Sequence, residues 1–175
     1  MDGSSGKAVR VVVTGHDSSG KAIVAADRLV PPADTLAAGT QFNLLWGSDV
    51  LPTYPDDGSE SDQIAPFPPV GGIRFAQMVV KPDSEVTHSE ASLSGLHSDS
   101  NDVPGMHITA SIDFEVVIEG EVWVELADGV EVHLGVGDCL VQNGTRHAWR
   151  NHTSKDARVG VMLIGTEHSA IPPVA

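Results

Sequence analysis

The residues best suited to chemistry are two histidines and a carboxylate. His107 and Asp113 lie in Gly105-Met-His-Ile-Thr-Ala-Ser-Ile-Asp113, and His147 lies in Gln142-Asn-Gly-Thr-Arg-His-Ala-Trp-Arg-Asn151. Two imidazoles and one carboxylate are the donor set of non-haem iron sites, and they also suit manganese, nickel or zinc. A divalent metal so held polarises a carbonyl, binds an enolate or activates oxygen. Without a metal, a histidine beside an aspartate in a dry pocket works as general acid or base, because burial and pairing move its pKa. His107, Asp113 and His147 are therefore candidate catalytic residues and candidate metal ligands. Thr109 and Glu115 share strand parity with Asp113, and Trp149 shares it with His147. These three are candidate substrate contacts, Glu115 also being a reserve carboxylate and Trp149 an aromatic wall for a flat substrate.

Strands must position these groups. From Gly105 to Asn151 the chain alternates apolar and polar residues, is rich in β-branched and aromatic types, and breaks at Gly or Asp-Gly, which predicts a meander of short strands. Earlier, Val9–Thr14 and Lys21–Ala26 flank the turn cluster Gly15-His-Asp-Ser-Ser-Gly20 and predict a hairpin closed off by Pro31 and Pro32. Gln41–Trp46, Gly72–Val80 and Arg158–Ile164 read as further strands. No segment sustains apolar residues at helical period with caps. The expected fold is all-β, a single-domain barrel over 1–175 with long irregular loops. Its core spans about 72–165, and strands within 8–46 complete the barrel or form a dimer contact. The segment from Gly47 to Gly72 reads as an excursion in which Trp46, Tyr54 and Phe67 tuck against apolar surface, with a lid over the pocket as the alternative. Arg74 and Gln77 are expected to face solvent, Cys139 to be a small buried thiol, and His16, His88, His97, His133 and His152 to lie on turns or outer faces.

The Gly105–Asn151 stretch resembles the cupin family. The family's first motif runs Gly, five residues, His-x-His, three or four residues, Glu, six residues, Gly. Here His107-x-Thr109, Asp113 and Gly120 keep its spacing, with Thr109 for the second His, Asp113 for Glu and Gly105 out of register. The second motif runs Gly, five residues, Pro-x-Gly, two residues, His, three residues, Asn. Gly137, Gln142-x-Gly144, His147 and Asn151 follow it one residue short, with Gln142 in place of Pro. The resemblance implies a jelly-roll β-barrel and a metal position at His107, Thr109, Asp113 and His147. It also implies homodimerisation, for which the first hairpin is available.

Composition narrows the partners. The chain has 175 residues, enough for one domain with a real core, and 41% of them are hydrophobic. A formal net charge of -14 argues against nucleic acid and anionic membranes as partners. One cysteine excludes an intrachain disulfide, and the first residues lack the apolar stretch of a signal peptide, so the expected location is cytoplasmic. The expected partner is a small-molecule ligand or substrate. The leading expectation is an enzyme acting on an oxygenated carbonyl or aromatic compound, of oxidoreductase, decarboxylase, dehydratase or isomerase type, with Fe, Mn, Zn or Ni as the possible metal. The alternative is a non-catalytic cupin that binds a small ligand, or serves a structural role, in a metal-free barrel.

Overall fold

The computed structural model describes residues 7–33, 39–60, 64–86, 97 and 103–171. Its strands are β1 (Val9–His16), β2 (Ala22–Val30), β3 (Thr40–Ser48), β4 (Ile73–Val80) and β5 (Ser111–Glu119). They continue as β6 (Val122–Leu126), β7 (Glu131–Leu134), β8 (Cys139–Asn143), β9 (His147–Arg150) and β10 (Ala157–Gly165), and a 3-10 turn spans Asp83–Glu85. The predicted strands are present, with ends that differ from those expected by no more than four residues. β1 and β2 form a separate hairpin, β3-β4-β10-β5-β8 a five-stranded sheet, and β7-β6-β9 a three-stranded sheet. All pairings are antiparallel. No helix among the described residues is long and apolar enough to cross a membrane.

The two larger sheets face each other over an apolar core. Alternation puts Ala76, Met78 and Val80 of β4, Val117 of β5, and Val159, Val161 and Leu163 of β10 on the inner side of the five-stranded sheet. Val122, Val124, Leu134 and Trp149 meet them from the three-stranded sheet. Each fully buried Val, Leu or Met among them contributes about 1.5–3 kcal/mol relative to exposure. Phe67 stacks on Phe42 at 5.7 Å and joins this core, as expected of an anchor in the long excursion. The β5–β6 turn is tight enough to require Gly120, whose φ is +75° and where a Cβ would sit 3.0 Å from Ala157 Cα.

Four expectations change. Arg74 is not solvent-facing but fully buried. Its guanidinium bonds Ala65 O (2.7 Å), Ser48 O (3.0 Å) and Ile73 O (2.9 Å), and pairs with Asp49 at 2.5 Å, because the segment after β3 folds over that end of the barrel. Cys139 is exposed rather than buried. It lies opposite Val116 and shares the outward side of the edge strand β8. Tyr54 is 71% exposed, its ring centroid 6.2 Å from that of His16. His16 itself is half-buried, its Nδ1 3.1 Å from Asp56 O. His88 lies outside the described residues.

At Gly165 a Cβ would come within 1.8 Å of the Pro69 carbonyl oxygen, a backbone atom that cannot swing away. Gly165→Ala should therefore destabilise the fold by about 3 kcal/mol. Gly135→Ala, whose nearest neighbour would be 3.8 Å away, should change stability by less than about 0.5 kcal/mol. Urea denaturation of the two variants checks the contrast.

Candidate functional site

The two candidate histidines meet through their backbones. His107 N–H donates to His147 O at 2.9 Å and His147 N–H to His107 O at 3.0 Å, an isolated antiparallel bridge. Residues exchanging both bonds project their side chains to the same side of the pair. The imidazole centroids are accordingly 4.3 Å apart, with Trp149 edge-on to His147 at 6.4 Å. Each ring has its Nδ1 next to a backbone carbonyl, His107 with Gly105 O (2.8 Å) and His147 with Thr145 O (2.9 Å). A carbonyl only accepts, so each Nδ1 carries the proton and each Nε2 keeps its lone pair. Burial lowers the pKa of both rings, that of His147 to about 3 with the neighbouring His107 adding to the shift.

The inner face of the chain from Thr109 to Glu115 continues the site. Thr109, Ser111, Asp113 and Glu115 are all buried, and Ser111 Oγ donates to Thr109 Oγ1 at 3.0 Å. Burial pushes Asp113 up to about 6, offset in part by the Ser111 and Thr109 hydroxyls. Glu115 rises to about 8, first through burial and then through the like charge of Asp113. Asp113 Oδ1 and Glu115 Oε2 have no hydrogen-bond partner. Opposite Asp113 lies Gln142, buried, whose Oε1 accepts from the Thr145 N–H and hydroxyl. The sequence reading passed over Gln142 as a contributor to the site, although its parity in β8 marks it as inward-facing. Asn151, which closes the second motif, is structural. Its amide donates to Val80 O (2.9 Å) and Lys155 O (2.8 Å), tying the chain after β9 to β4.

The described residues do not assemble the expected metal set. Each histidine is oriented as a ligand would be, with Nδ1 tied down and Nε2 free. Yet no group of three or more His, Cys, Asp or Glu side chains among the described residues is placed to hold a metal ion. His107, Asp113 and His147 thus do not form the expected three-donor set. Thr109 stands where the family's second histidine would, and its hydroxyl lies by Asp113. His97 pairs by backbone with Ile108, beside His107, and its side chain is exposed. His133 and His152 lie on the outside, each ring tilted against that of Trp123 with centroids 4.6 and 4.7 Å away. An open groove of about 720 Å³, lined by β2 with Asp57, Gly58, Ser59, Glu60 and Ile64, contains none of the site residues.

Two antiparallel sheets closing on an apolar core, with both motif halves meeting at a histidine bridge, are the arrangement that the resemblance to the cupin family implies. Comparison with known proteins places it more narrowly. It is 31% identical over 163 residues to phomopsin biosynthesis cluster proteins C' and D of Diaporthe leptostromiformis, covering 86% of this chain and 76% of each relative. The chain belongs to the family of these biosynthesis-cluster proteins. A shorter match, 48% over 48 residues, is to oryzines biosynthesis cluster protein J of Aspergillus oryzae, covering 27% of each. No family model matches. Similar solved structures include a polyketide cyclase from Streptomyces resistomycificus (16% identity, 83% of this chain and 80% of that one, TM-score 0.47). Another is ectoine synthase from P. lautus (15% identity, 79% and 72%, TM-score 0.43).

The pKa directions give opposite pH dependences. Glu115, raised from 4.5 to about 8, supports folding fully below 4.5 and loses that contribution as pH rises through 8. Asp113 does the same between 3.8 and 6. His147, lowered from 6.5, supports folding above 6.5 and loses that contribution as pH falls toward 3. Glu115→Gln removes the first loss. Urea midpoints at pH 5 and pH 9 should show the variant gaining on the parent protein at the higher pH, by at most roughly 4–5 kcal/mol. Equal gaps at the two pH values would mean that Glu115 ionises freely in the folded protein.

Proposed function

We propose that this chain is a small-molecule enzyme, working as a homodimer, that moves a proton on an oxygenated carbonyl compound inside its barrel. The observation that carries the reading is the pair of neutral imidazoles, 4.3 Å apart and each with Nδ1 held by a carbonyl. Two fixed Nε2 acceptors suit a substrate that presents hydroxyl or enol hydrogens. Asp113, at about 6, exchanges a proton readily near neutrality, and Glu115, at about 8, keeps one. In this reading His107 and His147 orient the substrate, Asp113 takes the proton from the carbon next to the carbonyl, and protonated Glu115 supports the developing enolate. Thr109 and Trp149 line the substrate's path. Isomerisation and dehydration are the reaction types that need only such steps. Membership in a family of biosynthesis-cluster proteins supports a small metabolite as the substrate.

Proton exchange with solvent tests this without knowledge of the natural substrate. The protein is incubated in D2O with a panel of small ketones, β-diketones and hydroxyaromatic ketones, and deuterium at the α-carbon is read by NMR. At least one compound should exchange faster with the enzyme. Asp113→Asn should slow that exchange by about 10²–10⁴-fold, and His147→Ala should raise KM more than it lowers kcat. Compounds that bind, shown by shifted resonances of the barrel, yet never exchange would favour the rival, a ligand-binding cupin without catalysis.

A further inference from the structure

The five-stranded sheet carries a run of large apolar residues on its outer face. An antiparallel sheet packed against a core on one side ordinarily alternates to polar residues on the other. Here Trp46, Phe75, Met162, Phe114 and Val141 stand opposite one another across β3, β4, β10, β5 and β8, and form one outward row over the full width of the sheet. Val116 and Ile118 extend it along β5, with Gly160 leaving room for both between the strands. Phe75 is 47% exposed, Phe114 39%, Met162 41%, Val141 51%, Val116 40% and Ile118 49%. Arg158 is the one charged side chain among the outward positions of β4, β5, β8 and β10, alternating from Ile73, Ile112, Cys139 and Arg158. It sits at the edge of the row, bonded to Gln77 (3.2 Å) and paired with Glu119 (3.1 Å).

We infer that this face is the homodimer interface, covered by the same face of a second copy. Area favours that occupant. At roughly 80 Å² each, six half-exposed large side chains present an apolar patch on the order of 500 Å². A standard interface buries about 800 Å² per partner, and homodimer interfaces are about 65% apolar, which requires about the same 500 Å². Charge favours it too. Two chains of net charge -14 approach each other only through a surface without carboxylates. A basic partner would instead seek the acidic surface. Sheet-on-sheet packing about a two-fold axis brings each row against its symmetry mate at the usual interlayer distance of about 10 Å. The polar pair of Arg158 and Glu119 then falls on the rim. The inference deepens the homodimer of the functional reading but stands on none of the site residues, so either can fail alone.

Sedimentation and light scattering of the full chain test it. At 100 µM the protein should have twice the chain mass, and its melting temperature should fall on 100-fold dilution. Phe114→Glu and Met162→Glu, both outward, should weaken dimerisation at least 100-fold while keeping the far-UV circular dichroism of the parent. Leu29→Glu on the exposed hairpin should leave the mass unchanged. A monomeric parent protein with a concentration-independent melting temperature overturns the inference. So does a dimer that survives both sheet-face substitutions, or one that dissociates with Leu29→Glu alone. Should a glutamate variant not fold, Val141→Ser at the margin of the same row reads the interface by a smaller shift in the same direction, and no shift counts against it.

Discussion

The pair of backbone hydrogen bonds between His107 and His147 does two jobs at once. It joins the strand approach to β5, in one sheet, to the first residue of β9, in the other, and so closes the barrel at that seam. Because both bonds run between the same two residues, the side chains must emerge side by side. The spacing of the imidazoles is thus a property of the main chain, not of rotamer choice. The Nδ1 contacts to Gly105 O and Thr145 O, each two residues upstream of its ring, complete the restraint locally. A site built this way is rigid before any ligand arrives, which is what orientation-dependent chemistry requires.

The second constraint is the distribution of buried charge. One rung of the five-stranded sheet carries Arg74, Leu163, Asp113 and Gln142 in that order. Arg74 could neutralise a carboxylate there, but Leu163 intervenes and the guanidinium is turned to Asp49 and three carbonyls at the barrel end. Asp113 and Glu115 are left in a dry interior with no cation. A buried carboxyl without a counter-charge keeps its proton to higher pH. Neutral imidazoles and protonatable carboxyls in one interior are therefore the same fact seen twice: burial disfavours whichever form is charged. Thr109, in the position of a second histidine, offers a hydroxyl to its neighbours rather than a nitrogen to a cation.

Much of this was legible in the sequence, and the rest was not for definite reasons. Period-two alternation identified the strands and put His107, Thr109, Ser111, Asp113 and Glu115 on one side, and His147 with Trp149 on another, because parity is local. The direct pairing of His107 with His147 was not legible, since register between strands forty residues apart is set by the closure of the whole barrel. Arg74 misled because a charged residue in a strand is ordinarily outward. Asp49 and the Ala65 carbonyl, from beyond β3, join the Ser48 and Ile73 carbonyls as the acceptors that make its burial tolerable. Cys139 misled in the opposite sense. An apolar run at a sheet edge looks like core, but its register with β5 puts the thiol outside. Tyr54 failed as an anchor where Phe67 succeeded, because only Phe67 reaches a ring, that of Phe42, already bordering the core.

Strand β5 unites these threads. Its inward residues, Ser111, Asp113, Glu115 and Val117, hold the buried carboxyls, while its outward residues, Phe114, Val116 and Ile118, are the centre of the exposed apolar row. A strand polar within and greasy without reverses the usual pattern, and each face accounts for the other. The inward carboxyls lose the desolvation free energy that core residues would contribute. The outward residues recover apolar burial only if something covers them. A β5 that serves both faces has little freedom to slip, since a one-residue shift would put carboxylates in the contact and phenylalanine in the site. Substitutions on either face should leave side-chain chemistry on the other intact, and any coupling between them must pass through displacement of the strand itself.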